Sequence, residues 1–507
     1  MPSEIEIKLT TNPESLAKVR EHPAVAVLLR GHVRRTEDVS TYYDTAAGEL
    51  RKAGVALRVR RSGQRWLQTV KGAGEQVGAL HRRPEYEWSM PTSRIDAGKL
   101  STTPWHDVFE ATAGRLRPVF VTDVDRTALP LAFADGTRAT LCLDAGEIRS
   151  GRKRATLNEI EIELVEGEPG VLYGLALSLA ADLPVAMAQA SKAERGYALA
   201  RPRPTKPVRA RKLSLAPDAS VGNALAQVGG DCLSQIGANA PWAAASDGEF
   251  VHQARVGVRR LRSLLKIVGD LIGAETIAPV MPELQWFSSS LGAARDWDVF
   301  ATDTLVSVAR ALRQPQARRD VGTLRGHVTR QRNIHFVEAG ASSASPRVQR
   351  LLLTFGALFA ALESPAAAPA LRAPARNLAK DILERRARRL GKRGAHLQRL
   401  APVERHQARI AAKRLRYVAE MFAPLFTGAR VKSYLAALGK LQTKLGYLND
   451  LATGERLLDE IEEHTNARRL VHGAGIVRGW LSGAEAPAVA DAAQAWRKFA
   501  KLKPFWR

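Results

Sequence analysis

The sequence predicts two unlike folds in tandem, an α+β or β-rich first part and an all-α second part. Three observations carry this. Before residue 200, short segments alternate between apolar and polar residues with period two, as strands do. After it, long stretches rich in Ala, Leu and Arg follow the helical period. Between them, Arg201-Pro202-Arg203-Pro204-Thr205-Lys206-Pro207 sets three prolines in seven residues, a density that no helix interior or central strand tolerates. At 507 residues the chain is also too long for one core. The expected organisation is residues 1–200, a basic proline-rich linker over 201–213, and a helical domain over 214–507. Ser364-Pro365-Ala366-Ala367-Ala368-Pro369 marks a second break, inside the helical part.

Composition narrows the setting. No run of eighteen apolar residues occurs, so no membrane-spanning helix is expected. The start, Met1-Pro2-Ser3-Glu4-Ile5-Glu6-Ile7-Lys8, lacks the apolar stretch of a signal peptide. Cys142 and Cys232 are the sole cysteines and lie far apart, which supports neither a disulfide framework nor a thiolate metal site. A cytoplasmic location follows. The net charge of +25 is unevenly spread. Residues 1–200 hold 27 Lys and Arg against 26 Asp and Glu, and the remainder holds 49 against 25. A basic excess confined to one domain points to a polyanion partner for that domain: nucleic acid, anionic lipid or polyphosphate.

Five segments of the first part share a pattern. In Glu4-Ile5-Glu6-Ile7-Lys8-Leu9 the charged residues fall on one strand face and the apolar ones on the other. Leu57-Arg58-Val59-Arg60 repeats this, as do Leu67, Thr69 and Lys71, then Arg83, Glu85 and Glu87, then Glu159-Ile160-Glu161-Ile162-Glu163-Leu164. Each segment alone reads as a half-exposed strand. Together they separate carboxylates from cations, which a closed or nearly closed barrel with a charged interior explains. The apolar outer face then needs a cover, and segments 13–30 and 170–182 can supply helices for it. Clustered carboxylates call for a hard cation such as Mg²⁺ or Mn²⁺. Converging Arg and Lys call for a dense anion, and phosphate fits guanidinium forks best. Metal and cations around a phosphate chain are the apparatus of phosphoryl hydrolysis.

Glu4-x-Glu6-x-Lys8 resembles the ExExK pattern of the CYTH, or triphosphate tunnel metalloenzyme, superfamily. Further blocks follow in order: Tyr42-Tyr43-Asp44-Thr45, Leu57-Arg58-Val59-Arg60, Thr69-Val70-Lys71, Leu80-His81-Arg82-Arg83-Pro84-Glu85-Tyr86, Leu143-Asp144-x-Gly146-Glu147, Glu159 to Glu163, and Ser191-Lys192-Ala193-x-Arg195-Gly196-Tyr197. The resemblance covers residues 1–200 and is strongest to inorganic triphosphatases that carry a helical domain behind the tunnel. It implies an antiparallel tunnel of eight strands that binds a linear triphosphate end-on. It also implies that Glu4 and Glu6 hold Mg²⁺ on the phosphates. Glu161 and Glu163, with Glu159 as a third, would hold or position a second metal and the attacking water. Lys8, Arg58, Arg60, Lys71, Arg83, Arg126 and Lys192 would line the phosphate path, with Lys8 joining Glu161 and Glu163 in catalysis. Asp144 and Glu85 would either join this set or orient a neighbouring Arg, and Arg195 and Tyr197 would close the barrel.

The second part contains an internal repeat. His252-Gln253-Ala254-Arg255-Val256 recurs as His406-Gln407-Ala408-Arg409-Ile410, Arg259-Arg260-Leu261-Arg262 as Lys413-Arg414-Leu415-Arg416, and Leu291 to Asp296 as Leu445 to Asp450, each pair 154 residues apart. Such registry argues for duplication of a helical unit. At roughly 100° per residue, His252, Arg255, Arg259, Arg262 and Lys266 fall within about 80° of arc, opposite Leu261, Leu264, Leu265 and Val268. His406, Arg409, Lys413 and Arg416 repeat the stripe. One such stripe reads as a solvated face; two, each headed by histidine, suggest an anion between the units. The pattern resembles the CHAD domain over about residues 214–500. That resemblance implies two pseudo-symmetric four-helix bundles and a basic groove that binds inorganic polyphosphate. Arg385-Arg386-Ala387-Arg388-Arg389, with Lys392 and Arg393, reads as a flanking basic face.

The expected activity is metal-dependent hydrolysis of inorganic triphosphate to pyrophosphate and phosphate, with inorganic polyphosphate bound by the helical domain, and a location at polyphosphate granules goes with that partner. The alternatives are a nucleotide- or thiamine-triphosphate-processing enzyme of the same fold, adenylyl cyclases included, and a polyphosphate-binding protein with a weakly active tunnel. Nucleic acid has little support, because aromatics make up 6% of the chain and do not interleave with the basic stripes.

Overall fold

The computed structural model describes residues 3–245, 247–364, 366–465 and 467–507. Met1, Pro2 and the Pro365 of the expected second break lie outside these. The chain forms two compact units. The first runs to Lys206 and also includes residues 229–237 and the helix Pro346–Glu363; the second holds the rest of the helical residues. Residues 202–216, which include most of the expected linker, carry no regular secondary structure. No described helix is long and apolar enough to cross a membrane.

In the first unit ten strands follow one another: β1 (Ser3–Thr10), β2 (Arg34–Asp44), β3 (Val55–Ser62), β4 (Arg65–Gly72), β5 (Glu75–Val77), β6 (Leu80–Met90), β7 (Arg117–Ala132), β8 (Arg138–Ser150), β9 (Lys153–Glu166) and β10 (Ala186–Met187). Eight of them close a ring in the order β1-β9-β8-β7-β2-β3-β4-β6, and β6 pairs back onto β1. Every pairing is antiparallel. The ring is the expected eight-stranded tunnel, and closure leaves no exposed sheet edge around it. Alternation then sets the layers. Ile7, Leu9, Ile160 and Ile162 point outward and are fully buried, each contributing about 1.5–3 kcal/mol. Their cover comes from helices α1 (Pro13–Val19), α2 (Pro23–Leu28) and α3 (Leu172–Asp182), within the segments expected to supply it. A second outer patch, Leu57 and Val70 with Leu50, Leu100 and Phe109, lies under residues 97–112, a cover that the sequence pattern does not announce.

The barrel interior is apolar at one end. Tyr42, Phe120, Ile148 and Leu157 share the inward face of β2, β7, β8 and β9, and Tyr197 of helix α4 (Lys192–Ala200) completes their cluster. Tyr42 stacks on Phe120 with ring centroids 4.4 Å apart, and Tyr197 meets the same ring edge-on at 5.2 Å. Gly196 lets α4 approach this closely, since a Cβ there would stand 2.1 Å from the Phe120 ring. Gly196→Val is therefore expected to cost about 1–3 kcal/mol through overpacking. Thermal unfolding should show a Tm lower by several degrees, and an unchanged Tm would contradict the contact.

The helical part of the chain is two copies of a four-helix motif, whose first helix has its middle, residues 229–237, in the first unit. Helices α5 (Val221–Asn239), α6 (Gly248–Ile272), α7 (Met281–Val299) and α8 (Pro315–Ala344) are followed by α9 (Ala375–Gly394), α10 (Pro402–Phe422), α11 (Ala429–Glu463) and α12 (Arg468–Ala500). The sequence offset carries over to the structure, as α5 and α9, like α6 and α10, begin 154 residues apart. The copies also exchange a reciprocal pair of hydrogen bonds: Val221 N–H donates to Ala373 O, and Ala375 N–H donates to Ala219 O, both at 2.9 Å. Donor and acceptor swap roles across the same offset, as a pseudo-twofold axis requires. Phe300, Leu305 and Leu324 from the first copy and Leu458, Val477 and Leu481 from the second share one core. The symmetry is broken after α7, where a π-helical turn spans Phe300–Thr304 while α11 runs on without a break.

Candidate functional site

Strand register decides which charged residues meet inside the barrel. Across β1 and β9, Glu6 faces Glu163, Lys8 faces Glu161 and Thr10 faces Glu159. Across β1 and β6, Glu4 faces Arg83 and Glu6 faces His81. Lys71 faces Glu85, Thr69 faces Glu87, and Arg126 faces Asp144. Directly opposed residues share a face, so all of these point into the interior.

Two groups result. In one, Glu4, Glu6 and Glu163 each bring a carboxylate oxygen within 4.8 Å of the others. Arg83 bonds Glu4 at 2.9 Å and Glu6 at 2.7 Å, and Lys71 reaches Glu4 at 2.7 Å. The other oxygen of Glu6 lies 3.0 Å from Lys8 Nζ without hydrogen-bond alignment. Burial, with Glu161, Glu6 and Glu4 nearby, pushes the Glu163 carboxyl up to about 7, although Arg126 acts against it. Burial opposes the charged form of Glu4 too, but Lys71, Arg83 and Lys8 hold it well below the carboxylate range. Three crowded carboxylates of this kind fit a hard divalent cation, whose charge offsets their repulsion.

In the second group, Glu161 accepts from Lys8 at 2.5 Å, Lys192 at 2.8 Å and Arg126 at 2.6 Å. Burial alone would raise its carboxyl, yet Lys192, Lys8 and Arg126 together hold it well below the usual range. Asp144 takes a bidentate fork from Arg126 at 2.8 and 2.7 Å and meets Lys192 at 2.8 Å. Glu159 is fully buried between Lys192 and Arg195, each 2.6 Å away. Of the five glutamates considered as ligands, the structure thus brings Glu4, Glu6 and Glu163 together, and sets Glu159 and Glu161 among cations. Arg58 and Arg60 line the far wall, Arg58 3.8 Å from Glu85 and from Glu87, Arg60 3.0 Å from Glu87 and 3.4 Å from Asp38.

Three interior residues escaped the sequence reading as site members: Asp38, Glu87 and His81. His81 faces Glu6, and its Nε2 is buried with no partner among the described residues. Burial, then Lys8 and Arg83, lowers its pKa to about 3, so the ring is neutral. Strict alternation on β6 carries the signal for it, since 81, 83, 85 and 87 share one face.

In the helical part α6 packs against α10, and Arg255 and Arg259 of one stripe act electrostatically on Arg409 and Lys413 of the other. Burial, then Arg259, Arg409 and Arg255, lowers the Lys413 pKa to about 6. Burial and then Arg295 lower His252 to about 4. Nδ1 of His252 and Nε of Arg409 are buried and unpartnered among the described residues. Such crowding of cations is costly unless an anion offsets it. Arg255 is anchored to Asp296 at 2.9 Å, and Asp450, its counterpart in the second copy, sits by Lys413 and Arg409. His252, Arg255, Arg259, His406, Arg409 and Lys413 lie along these two stripes. Arg416 turns instead to Glu420, at 2.6 Å, and Arg262 and Lys266 lie farther along α6. Arg295 adds its charge beside His252 and Arg259, although the sequence singled it out merely as part of the repeat.

Comparison with known proteins gives a consistent result. Residues 2–197 match the CYTH domain family and residues 227–459 the CHAD domain family. An inorganic triphosphatase of Haemophilus influenzae is 31% identical over 204 residues, which are 39% of this chain and 55% of that protein. The match therefore spans about half the length of that relative. The crystal structure of the CHAD domain from the plant Ricinus communis is similar at 32% identity and a TM-score of 0.52, over 59% of this chain and 98% of that one.

Proposed function

The chain contains a CYTH domain over residues 2–197 and a CHAD domain over residues 227–459, and from that premise we propose that it hydrolyses inorganic triphosphate to pyrophosphate and phosphate in the barrel and binds inorganic polyphosphate in the helical groove. The observation that supports the first half best is the enclosure of three converging carboxylates and a ring of Lys and Arg in one interior. Mg²⁺ or Mn²⁺ held by Glu4, Glu6 and Glu163 would neutralise phosphate charge and favour departure of the pyrophosphate. Lys71, Arg83, Arg58, Arg60, Arg126 and Lys192 would take the non-bridging oxygens, guanidinium forks bidentately. Each is already held by an interior carboxylate, so it is oriented before substrate arrives. Glu161 and Asp144 position Lys8, Lys192 and Arg126 in this scheme. Water attacks the terminal phosphorus, the anhydride bond breaks, and pyrophosphate leaves.

The test is phosphate release from triphosphate, pyrophosphate, ATP, thiamine triphosphate and long-chain polyphosphate, with Mg²⁺, Mn²⁺ or excess chelator. Triphosphate should turn over fastest, and only with metal. Full activity in chelator, or faster turnover of ATP, would overturn the reading.

Anion binding in the groove carries its own pH signature. Lys413 is mostly neutral above pH 6 in the free protein, and a bound phosphate chain favours its ammonium form. Between about 6 and the ordinary lysine value, binding should take up a proton. Affinity should then weaken as pH rises above 6. Calorimetry at pH 8 in buffers of different ionisation heat should show that uptake in the native chain and its loss in Lys413→Arg; equal heats after buffer correction would contradict it.

A further inference from the structure

Beyond the groove, the C-terminal end of the α6 stripe meets a second set of cations. Lys266 lies within electrostatic reach of Arg414 of α10, Arg386 and Arg389 of α9, and Arg262 one turn back on its own helix. Arg386 faces Arg414, Arg389 and Arg385, with Asp270 as the acid beside it. The helices explain the convergence, since α9 packs along α10 and α10 packs on α6. None of Arg262, Lys266, Arg386, Arg389 and Arg414 forms a salt bridge among the described residues. The run that reads in the sequence as a flanking face thus turns part of itself, Arg386 and Arg389, toward the end of the stripe.

The other copy keeps two of these five cations, Arg416 and the buried Arg260, the counterpart of Arg414. The counterpart of Lys266 is Glu420, which pairs with Arg416, the counterpart of Arg262, at 2.6 Å. The counterparts of Arg386 and Arg389 are Cys232 and Gln235, both buried. Duplication would have placed alike charges at both ends of the groove. Instead one set carries an acid and two uncharged residues, and the other holds five cations without a salt bridge among the described residues.

We infer that the polyphosphate groove continues at one end only, onto a track of Arg262, Lys266, Arg386, Arg389 and Arg414 that takes the overhanging phosphates of long chains. The inference rests on the groove reading above. From Arg255 to Lys266 the α6 stripe runs about 16 Å at 1.5 Å per residue. A short oligophosphate seated among Arg255, Arg259, Arg409 and Lys413 does not reach Lys266, Arg386 and Arg389, whereas a long chain does. The track makes affinity depend on chain length and gives the bound chain a preferred side of exit.

The test compares the full chain with two double variants, Arg386→Gln/Arg389→Gln in the track and Arg255→Glu/Arg409→Glu in the groove. Size-fractionated short-chain and long-chain polyphosphates are titrated in chelator over a range of salt. The track variant should lose about ten-fold in long-chain affinity and keep short-chain affinity. Its log–log salt slope for long chains should become shallower by roughly 1.4, the share of two phosphate contacts on a flexible strand. Equal loss for both lengths, or loss for neither, overturns the track and leaves the groove standing. Full binding of both lengths by the groove variant overturns the groove and the track with it. Single-stranded RNA bound more tightly than long-chain polyphosphate at matched salt, and released by the track variant, also overturns the proposal by assigning the track to another polymer.

Discussion

Glu6→Gln is expected to lower phosphate release from triphosphate by at least ~100-fold, the upper end of what removal of a ligand's outer partner costs. Glu6 is fully buried, shares Arg83 with Glu4, lies beside Lys8 and faces Glu163. The substitution keeps the shape of the side chain and removes one of three converging charges. Metal affinity should fall with it, so raising Mg²⁺ or Mn²⁺ should recover part of the activity. Glu161→Gln should behave differently. That carboxylate holds Lys8, Lys192 and Arg126, so turnover should fall while the metal dependence stays put. Removing one partner of such a buried pair also costs about 3–5 kcal/mol of stability, so the variants are compared at a temperature where both stay folded. Unchanged kinetics in both would refute the assignment of the barrel interior as the reacting site.

Arg255→Glu with Arg409→Glu should abolish polyphosphate binding while leaving triphosphate hydrolysis intact. The two residues hold equivalent places in the duplicated helices, and reversing both replaces attraction with repulsion at the middle of the groove. Under the proposed function, phosphate contacts and released counterions would supply the affinity, so native binding should weaken steeply with salt. Hydrolysis should survive because the barrel carries its own cations. Filter binding or anisotropy against long-chain polyphosphate measures the first expectation, and phosphate release the second. Native-like affinity in the double variant would sink the groove, and so would duplex DNA bound more tightly than polyphosphate at matched salt.

Much of this architecture could be read from the chain. The alternation at Glu4-Ile5-Glu6-Ile7-Lys8 places three charges on one face whatever the strand pairs with, and β1 bears that out. A constant offset of 154 residues implied two like helical units, and the reciprocal bonds between Val221, Ala373, Ala375 and Ala219 carry the same offset. Roles within the charged set were less accessible. Glu159, Glu161 and Glu163 are interchangeable to an alternation argument; the register of β1 against β9 alone decides that one meets Glu6, one meets Lys8 and one faces Thr10. Register depends on pairing between strands separated by residues 11–152 of intervening chain, which no local pattern encodes. Arg386 and Arg389 were hidden for a similar reason. A basic run on a helix says which face is charged, but not which neighbouring helix that face is turned toward.

Because Tyr42, Phe120, Ile148 and Leu157 fill the barrel interior beneath the charged layer and Tyr197 closes over them, the chamber works as a dead end. In the proposed reaction, cargo entering from the charged side would have to back out the same way. The piece nearest the mouth would leave first, with a piece lodged deeper waiting behind it. Slow departure of either one would bar the next arrival, so the order of exit would govern throughput as much as bond breaking does. A conduit open at both ends would escape that queue; this one exchanges through traffic for a fixed inner stop against which a short chain can be measured.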